Sequence, residues 1–249
     1  MKLSTTPVPV GTPAAKSIKH LRWYICGLLF FATTINYIDR QVLGILKPVL
    51  EKELGWSEEQ FGWIVFSFQL AYAMIMPIAG GIIDWVGTRL GYMVAVVVWS
   101  LAAMGHALAG NAAQFSVARF ALCFGEAANF PAAIKTVADW FPPKERAFAT
   151  GIFNSGSNIG ALIAPVLVPW IAATWGWREA FLATGALGFV WVVFWMLLYR
   201  QPREHARLSG QELALIEEGR GHEEPMVKVP YASLLTKRQA WAFLIGKFL

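Results

Sequence analysis

The chain has 249 residues, of which 56% are hydrophobic and only 15% are charged. Soluble globular domains carry about 25% charged residues, so this composition excludes an ordinary soluble domain and predicts an all-α protein that crosses a membrane several times. The net charge of +5 would indicate nucleic-acid binding only with a soluble basic face interleaved with aromatic residues, and the sequence has no such stretch.

Six apolar segments are long enough to cross a bilayer, which takes about 20 helical residues. They are predicted at residues 23–50, 58–83, 90–110, 113–139, 147–173 and 178–199. This pattern divides the chain into a disordered cytoplasmic tail at 1–20, a six-helix membrane bundle at 21–199, a cytoplasmic loop at 200–237, and the truncated start of a seventh helix at 238–249. We therefore expect the chain to be the first half of a longer protein.

The distribution of basic residues predicts the topology. Lys and Arg concentrate in the N-terminal stretch and in the second, fourth and sixth loops, whereas the alternate loops are poorer in them. Basic loops stay on the cytoplasmic side of a membrane. The N-terminus and the long sixth loop are therefore expected in the cytoplasm.

Two charged residues, Asp39 and Arg40, lie side by side inside the first apolar segment. An unpaired charge in hydrocarbon costs at least about 3 kcal/mol, so such residues are usually functional. At about 100° per residue they point to different faces of a helix: Arg40 shares a polar side with Tyr37, whereas Asp39 lies among apolar neighbours. Asp39 can then hold and release a proton, and Arg40 can offer its donor fork to a carboxylate. The alternative is that both form structural ion pairs with other helices.

A second pair of charges, Arg119 and Glu126, lies in the fourth apolar segment. A spacing of seven residues is nearly two helical turns, which puts both on one face about 10 Å apart along the axis. We interpret Glu126 as a proton acceptor within reach of a substrate-binding Arg119. The alternative is a static pair that fixes helix packing.

The fifth segment has a close-packing face and a polar stripe. Gly156, Gly160 and Ala164 repeat every four residues, which lets another helix approach closely. The polar residues beside them are Asn154, Ser157 and Asn158. These side chains could bind sugar hydroxyls or equally hold helices together.

The loop after the second segment reads Gly81-x-x-Asp84-x-x-Gly87-x-Arg89. Glycines permit a tight reversal, and Asp84 and Arg89 can pair or cap at the cytoplasmic ends of facing helices. A weak echo of this loop follows the fifth segment, at 175–178. The echo favours two inverted three-helix repeats.

Other chemistry has no support in the sequence. There is no Ser/His/Asp or Cys/His arrangement, no metal-ligand spacing and no phosphate-binding loop. We therefore predict a protein that is not an enzyme and that uses no metal and no cofactor.

The loop motif resembles the signature of the major facilitator superfamily. Together with Asn36-Tyr37-Ile38-Asp39-Arg40 and the segments 119–131 and 139–146, it is similar to the anion:cation symporter family. The segments 20–24, 87–92 and 199–203 look most similar to bacterial hexuronate transporters. The resemblance covers about residues 20 to 220. It implies a twelve-helix protein of the bacterial inner membrane, with two six-helix halves around a cavity, that imports an organic anion with protons.

The resemblance also implies roles for individual residues. Asp39 and Glu126 would take part in proton coupling, with Arg119 pairing with acids during the cycle. Arg40 would lie near the substrate carboxylate. Tyr37 and Tyr72 would line the cavity, and the loop residues Gly81, Asp84, Gly87 and Arg89 would hold one conformational state. The implied partners are a small organic anion, protons, the lipid bilayer and a C-terminal six-helix half. An aldonate or aromatic-acid symporter, an uncoupled facilitator and a membrane sensor remain alternatives.

Overall fold

The computed structural model describes residues 17–218, 236–239 and 241–242. Within these residues the fold is all-helical, with eight α-helices and two short 3₁₀ turns. The helices are α1 (Leu21–Leu54), α2 (Glu58–Val86), α3 (Thr88–Gly105), α4 (Ala112–Glu126), α5 (Asn129–Trp140), α6 (Pro143–Trp175), α7 (Trp177–Leu198) and α8 (Gly210–Glu217). The predicted tail up to residue 16, the loop from 219 to 235 and most of the predicted seventh helix lie outside the described residues.

Four helical stretches of the described chain are long and apolar enough to cross a membrane. They are Glu58–Val86, Thr88–Leu108, Pro143–Trp175 and Trp177–Leu198. The other two predicted spans are α1, which is 34 residues long but carries Asp39 and Arg40 near its middle, and the segment divided between α4 and α5. The α1 helix is thus long enough to cross but less apolar, whereas α4 with 15 residues and α5 with 12 are individually shorter than a full span.

The prediction of one continuous helix over 113–139 is wrong, because the structure interrupts it at Ala127 and Ala128. Pro131 has no N–H to offer the Ala127 carbonyl, and its ring crowds that carbonyl. The Tyr92 hydroxyl then donates to Asn129 Oδ1 at 2.6 Å and anchors the new helix start. Glu126 is consequently the last residue of α4.

Single glycines make the turns from α2 to α3 and from α6 to α7. Gly87 has a φ of 87° and Gly176 a φ of 115°, a backbone region that favours glycine. The two turns occupy equivalent places in two successive three-helix units. This equivalence matches the echo seen in the sequence.

The glycine face of α6 packs directly on α1. A Cβ at Gly156 would clash with the Phe30 carbonyl, and one at Gly160 would lie 2.6 Å from the Thr34 carbonyl oxygen. Ala164, the third member of the face, is fully buried. The predicted close-packing face therefore sets the distance between α1 and α6.

We expect Gly156→Ala to destabilise the bundle, because the clashing atom belongs to a backbone that can move only with the whole helix. Overpacking of this kind costs about 1–3 kcal/mol. The matched control is Gly151→Ala, since a Cβ at Gly151 on the same helix meets no atom within 4 Å. Thermal unfolding in detergent should show a lower Tm for Gly156→Ala only; equal Tm values for the two variants would contradict the packing argument.

The first part of the predicted cytoplasmic loop is folded against the bundle. Glu212 on α8 accepts hydrogen bonds from the backbone N–H groups of Leu21 (3.1 Å) and Arg22 (3.2 Å). Its carboxylate also pairs with the Arg22 guanidinium at 2.9 Å, and Glu145 at the start of α6 binds the same guanidinium at 2.9 Å. Because the first N–H groups of a helix have no partner within it, Glu212 acts as the cap of α1.

Candidate functional site

A buried ion pair joins Arg40 on α1 to Glu126 at the end of α4. Arg40 Nε lies 2.6 Å from Glu126 Oε2. Gly125 lets α4 approach α3 closely, since a Cβ there would lie 2.5 Å from the Trp99 nitrogen. The Glu126 side chain is fully buried, whereas 24% of the Arg40 side chain is exposed. Arg40 is therefore the member of the pair that an incoming anion can reach.

Aromatic rings surround the Arg40 guanidinium. Its Cζ lies 5.2 Å from the ring centroid of Tyr37, 5.4 Å from Phe68 and 5.1 Å from Tyr72. Such cation–π contacts hold a guanidinium in place without using its hydrogen-bond donors. The structure thus brings the three sequence-predicted residues Tyr37, Arg40 and Tyr72 together. Phe68 was missed, although it lies one turn before Tyr72 on the same face of α2.

Asp39 points away from this ring cluster, as the helical spacing predicts. It is only 3% exposed, and neither carboxylate oxygen has a hydrogen-bond partner among the described residues. The groups that act electrostatically on it are Glu126 and Arg119, and Thr184 faces it from α7. Asp39 is therefore a buried acid close to two charges but paired with neither, and Thr184 is a neighbour that sequence reasoning missed.

Arg119 occupies the space between the two acids. Its Nη2 donates to the Arg40 carbonyl oxygen at 3.2 Å, and its Cζ lies 5.7 Å from the Phe68 ring centroid. Within the described chain it forms no ion pair with Glu126, so the static Arg119–Glu126 pair weighed from the sequence is not formed. The cation that Glu126 binds is Arg40 instead.

The polar residues of α6 lie apart from this cluster. Asn154 and Asn158 are exposed, and Ser157 donates to the Asn154 carbonyl at 2.7 Å. At 100° per residue, both asparagines point away from the Gly156 face that packs on α1. Among the described residues, none of the three forms a hydrogen bond with Arg40 or Glu126.

The loop residues are also distributed differently from the prediction. Asp84 pairs with Lys135 of α5 at 2.5 Å, not with Arg89. Arg89 Nη2 instead donates to the Met196 carbonyl at 3.0 Å, near the end of α7. Gly81 is exposed with open space around it, and Gly87 makes the turn. The loop and its contacts thus connect the adjoining ends of α2, α3, α5 and α7.

The sequence profile of the Major Facilitator Superfamily matches residues 29–249. The chain belongs to this superfamily. Together with the all-helical fold, the match confirms the predicted fold class, an N-terminal half of the superfamily architecture.

Individual relatives within the superfamily are transporters, not enzymes. The hexuronate transporter of Escherichia coli strain K12 is 37% identical over 237 residues, which cover 94% of this chain and 55% of the relative. The galacturonate transporter of Dickeya chrysanthemi is 37% identical over 235 residues, or 93% of this chain and 68% of the relative. These matches confirm the predicted similarity to hexuronate transporters. The chain spans about half the length of the first relative.

A solved structure has the same fold. A bacterial homologue of the human lysosomal transporter Spinster, crystallised in an inward-facing and occupied conformation, is 26% identical with a TM-score of 0.66. The match covers 75% of this chain and 46% of that protein. Together with the membrane-compatible helices, these matches identify a multi-pass membrane protein.

Proposed function

We propose that this chain forms the N-terminal half of a secondary transporter that imports a sugar acid, a hexuronate or a close relative, together with protons. The observation that carries the proposal is the buried Arg40–Glu126 pair at 2.6 Å, with the unpaired acid Asp39 beside it. The printed names of the relatives supply the substrate class, since they include hexuronate and galacturonate transporters.

Arg40 is the proposed binding residue for the substrate carboxylate. Its Nε is held by Glu126 and Tyr72 also contacts the guanidinium, so the remaining donors of the planar fork can bind an anion on the partly exposed side. A guanidinium can bond two carboxylates in this way because its donors lie in one plane. Tyr37 and Tyr72, which flank it, offer hydroxyls and ring faces to a sugar.

Charge balance supports the proposed proton coupling. Arg40, Arg119, Asp39 and Glu126 sum to zero when all four are ionised. A monoanion bound in the same buried site would leave one uncompensated negative charge, which is costly at low dielectric. A proton on Glu126 restores neutrality and releases Arg40 to the substrate. Asp39 is the second proposed proton carrier, and Arg119 can exchange partners between the two acids.

Alternating access would follow because proton and anion stabilise the same state, so that neither alone favours the change of conformation. We propose that a C-terminal six-helix half covers the exposed side of Arg40 and rocks against this half. Asn154, Ser157 and Asn158 remain proposed hydroxyl contacts, and Gly81, Asp84, Gly87 and Arg89 a proposed conformational-switch loop. The proposed location is a bacterial inner membrane with the N-terminus in the cytoplasm, supported by the basic residues of the even-numbered loops.

The test is uptake by the full-length protein in proteoliposomes with an imposed pH gradient. The panel is galacturonate, glucuronate, galactonate, glucarate and benzoate. We expect hexuronate to accumulate only when the outside is more acidic. Equilibration that ignores the gradient would identify an uncoupled facilitator, and binding without uptake would identify a sensor; either result contradicts the proposal.

A further inference from the structure

We infer that Thr184 is a positioning residue for the proton on Asp39, with a hydroxyl that donates to the ionised carboxylate and accepts from the protonated one. The inference rests on the proposed function, because it concerns one of the two acids proposed to carry protons. Thr184 lies on α7, and no other residue of this helix has been given a role in the site.

The position of α7 is fixed on two sides. Toward α3, Gly188 lies directly against the Ser100 side chain, and a Cβ at Gly185 would lie 3.0 Å from the Ser100 carbonyl oxygen. Toward α1, Trp191 Nε1 donates to the Leu28 carbonyl oxygen at 2.7 Å. Trp191 follows Thr184 by nearly two full turns, so the two residues share a face. The contact that holds Trp191 on α1 therefore also directs Thr184 toward α1.

The groups that meet there lack partners. Thr184 is 1% exposed and Asp39 is 3% exposed. The Thr184 hydroxyl and both Asp39 oxygens have no hydrogen bond of standard geometry among the described residues, although the hydroxyl faces the carboxylate. Leaving a buried polar group unsatisfied is unfavourable. A hydrogen bond between them would satisfy both groups at once.

A hydroxyl suits an acid that changes its protonation state. It carries one donor and two acceptor lone pairs, and its hydrogen rotates freely. When Asp39 gains a proton, an O–H bond forms on the carboxylate oxygen and Thr184 turns from donor to acceptor. Because a hydrogen bond to a charged oxygen is the stronger of the two, Thr184 should favour the ionised form of Asp39.

The charged groups around Asp39 come from other helices. Arg119 and Glu126 face it from α4, and Arg40 is its neighbour on α1. Arg119 in turn acts electrostatically on His106, which directly follows α3. Within the described chain, α6 turns its glycine and alanine face toward this part of α1. The polar group that α7 contributes is Thr184. Removing its hydroxyl therefore changes the local hydrogen bonding without changing the local charge.

The experiment compares Thr184→Val, which keeps the shape, with Thr184→Ser, which keeps the hydroxyl, in the full-length protein. The pH profile of galacturonate uptake is measured in proteoliposomes. We expect the midpoint of Thr184→Val to move to higher pH by about one unit, the size expected for losing one charge-assisted hydrogen bond. Thr184→Ser should keep the wild-type midpoint. In an Asp39→Asn background, Thr184→Val should cause no further shift.

The control is Thr174→Val at the far end of α6, where the hydroxyl donates to the Trp170 carbonyl of its own helix. If Thr184→Val does not fold, the pH midpoint of Thr184→Ala is compared with that of Thr184→Ser to decide the same question. If the wild type shows proton-driven uptake but the variant that lacks the hydroxyl keeps the wild-type midpoint, this inference alone is overturned. A wild type without pH-dependent uptake overturns the proposed function and the inference with it.

Discussion

Replacing Glu126 with glutamine should abolish proton-driven accumulation of the anion while leaving anion exchange across the membrane. Glutamine keeps the volume of Glu126 and an oxygen that can accept from Arg40 Nε, whose present distance to Oε2 is 2.6 Å. It cannot take up a proton, so substrate binding no longer requires one. A gradient of one pH unit stores about 1.4 kcal/mol per proton, which drives about tenfold accumulation in a coupled protein. The variant should accumulate nothing above equilibrium.

The pH dependence supplies a second readout of the same variant. In the wild type, exchange should fall as pH rises, because an ionised Glu126 retains Arg40. In Glu126→Gln the part of this alkaline decline that arises from Glu126 should disappear, so that the remaining pH dependence reports Asp39. Counterflow of labelled galacturonate at several pH values measures the effect.

A matched control uses another glutamate in an ion pair. Glu53 pairs with Arg178 at 3.4 Å, and its side chain is 47% exposed. An exposed pair of this kind contributes about 0–1 kcal/mol, so Glu53→Gln should leave uptake and its pH profile unchanged. Undiminished accumulation by Glu126→Gln would overturn the role of Glu126.

Periodicity along single helices accounts for what the sequence predicted correctly. The different directions of Asp39 and Arg40 and the packing face of Gly156 and Gly160 follow from 100° per residue alone. The partner of Glu126 does not follow from it, because Arg40 is 86 residues away and on another helix. Both arginines were plausible partners, and only the relative placement of α1 and α4 decides between them.

Two further features escaped the sequence for different reasons. The interruption before Asn129 had a visible signal in Pro131, which was given too little weight against the apolar length of the segment. The cap that Glu212 provides for α1 had no signal. A single glutamate in a loop rich in charges looks like any other, and only its contact with Arg22 in the fold distinguishes it.

Replacing Arg40 with lysine should weaken binding of the anion although the charge is kept. Arg40 uses Nε for Glu126 and has further donors on its terminal nitrogens for the proposed substrate, whereas lysine has one nitrogen for both tasks. It also loses the planar face that packs against Tyr37, Phe68 and Tyr72. Losing a charge-assisted hydrogen bond costs about 1.5–3 kcal/mol, which corresponds to a dissociation constant roughly ten to a hundred times higher. Binding of galacturonate to the purified full-length protein, followed by calorimetry, measures this change.

Comparing the affinity of Arg40→Lys with that of Arg203→Lys separates the contribution of the planar guanidinium of Arg40 from that of its positive charge. Arg203 pairs with Glu217 at 2.7 Å in the segment after α7, with 78% of its side chain exposed, so its replacement should not alter affinity. The methyl ester of galacturonate, which lacks the anionic carboxylate, tests the site from the ligand side. Arg40→Lys should reduce the preference for the free acid over the ester, because the preference arises at the fork. If the preference is unchanged and Arg40→Lys binds the acid as tightly as Arg203→Lys does, then the carboxylate binds elsewhere and Arg40 is only the structural partner of Glu126.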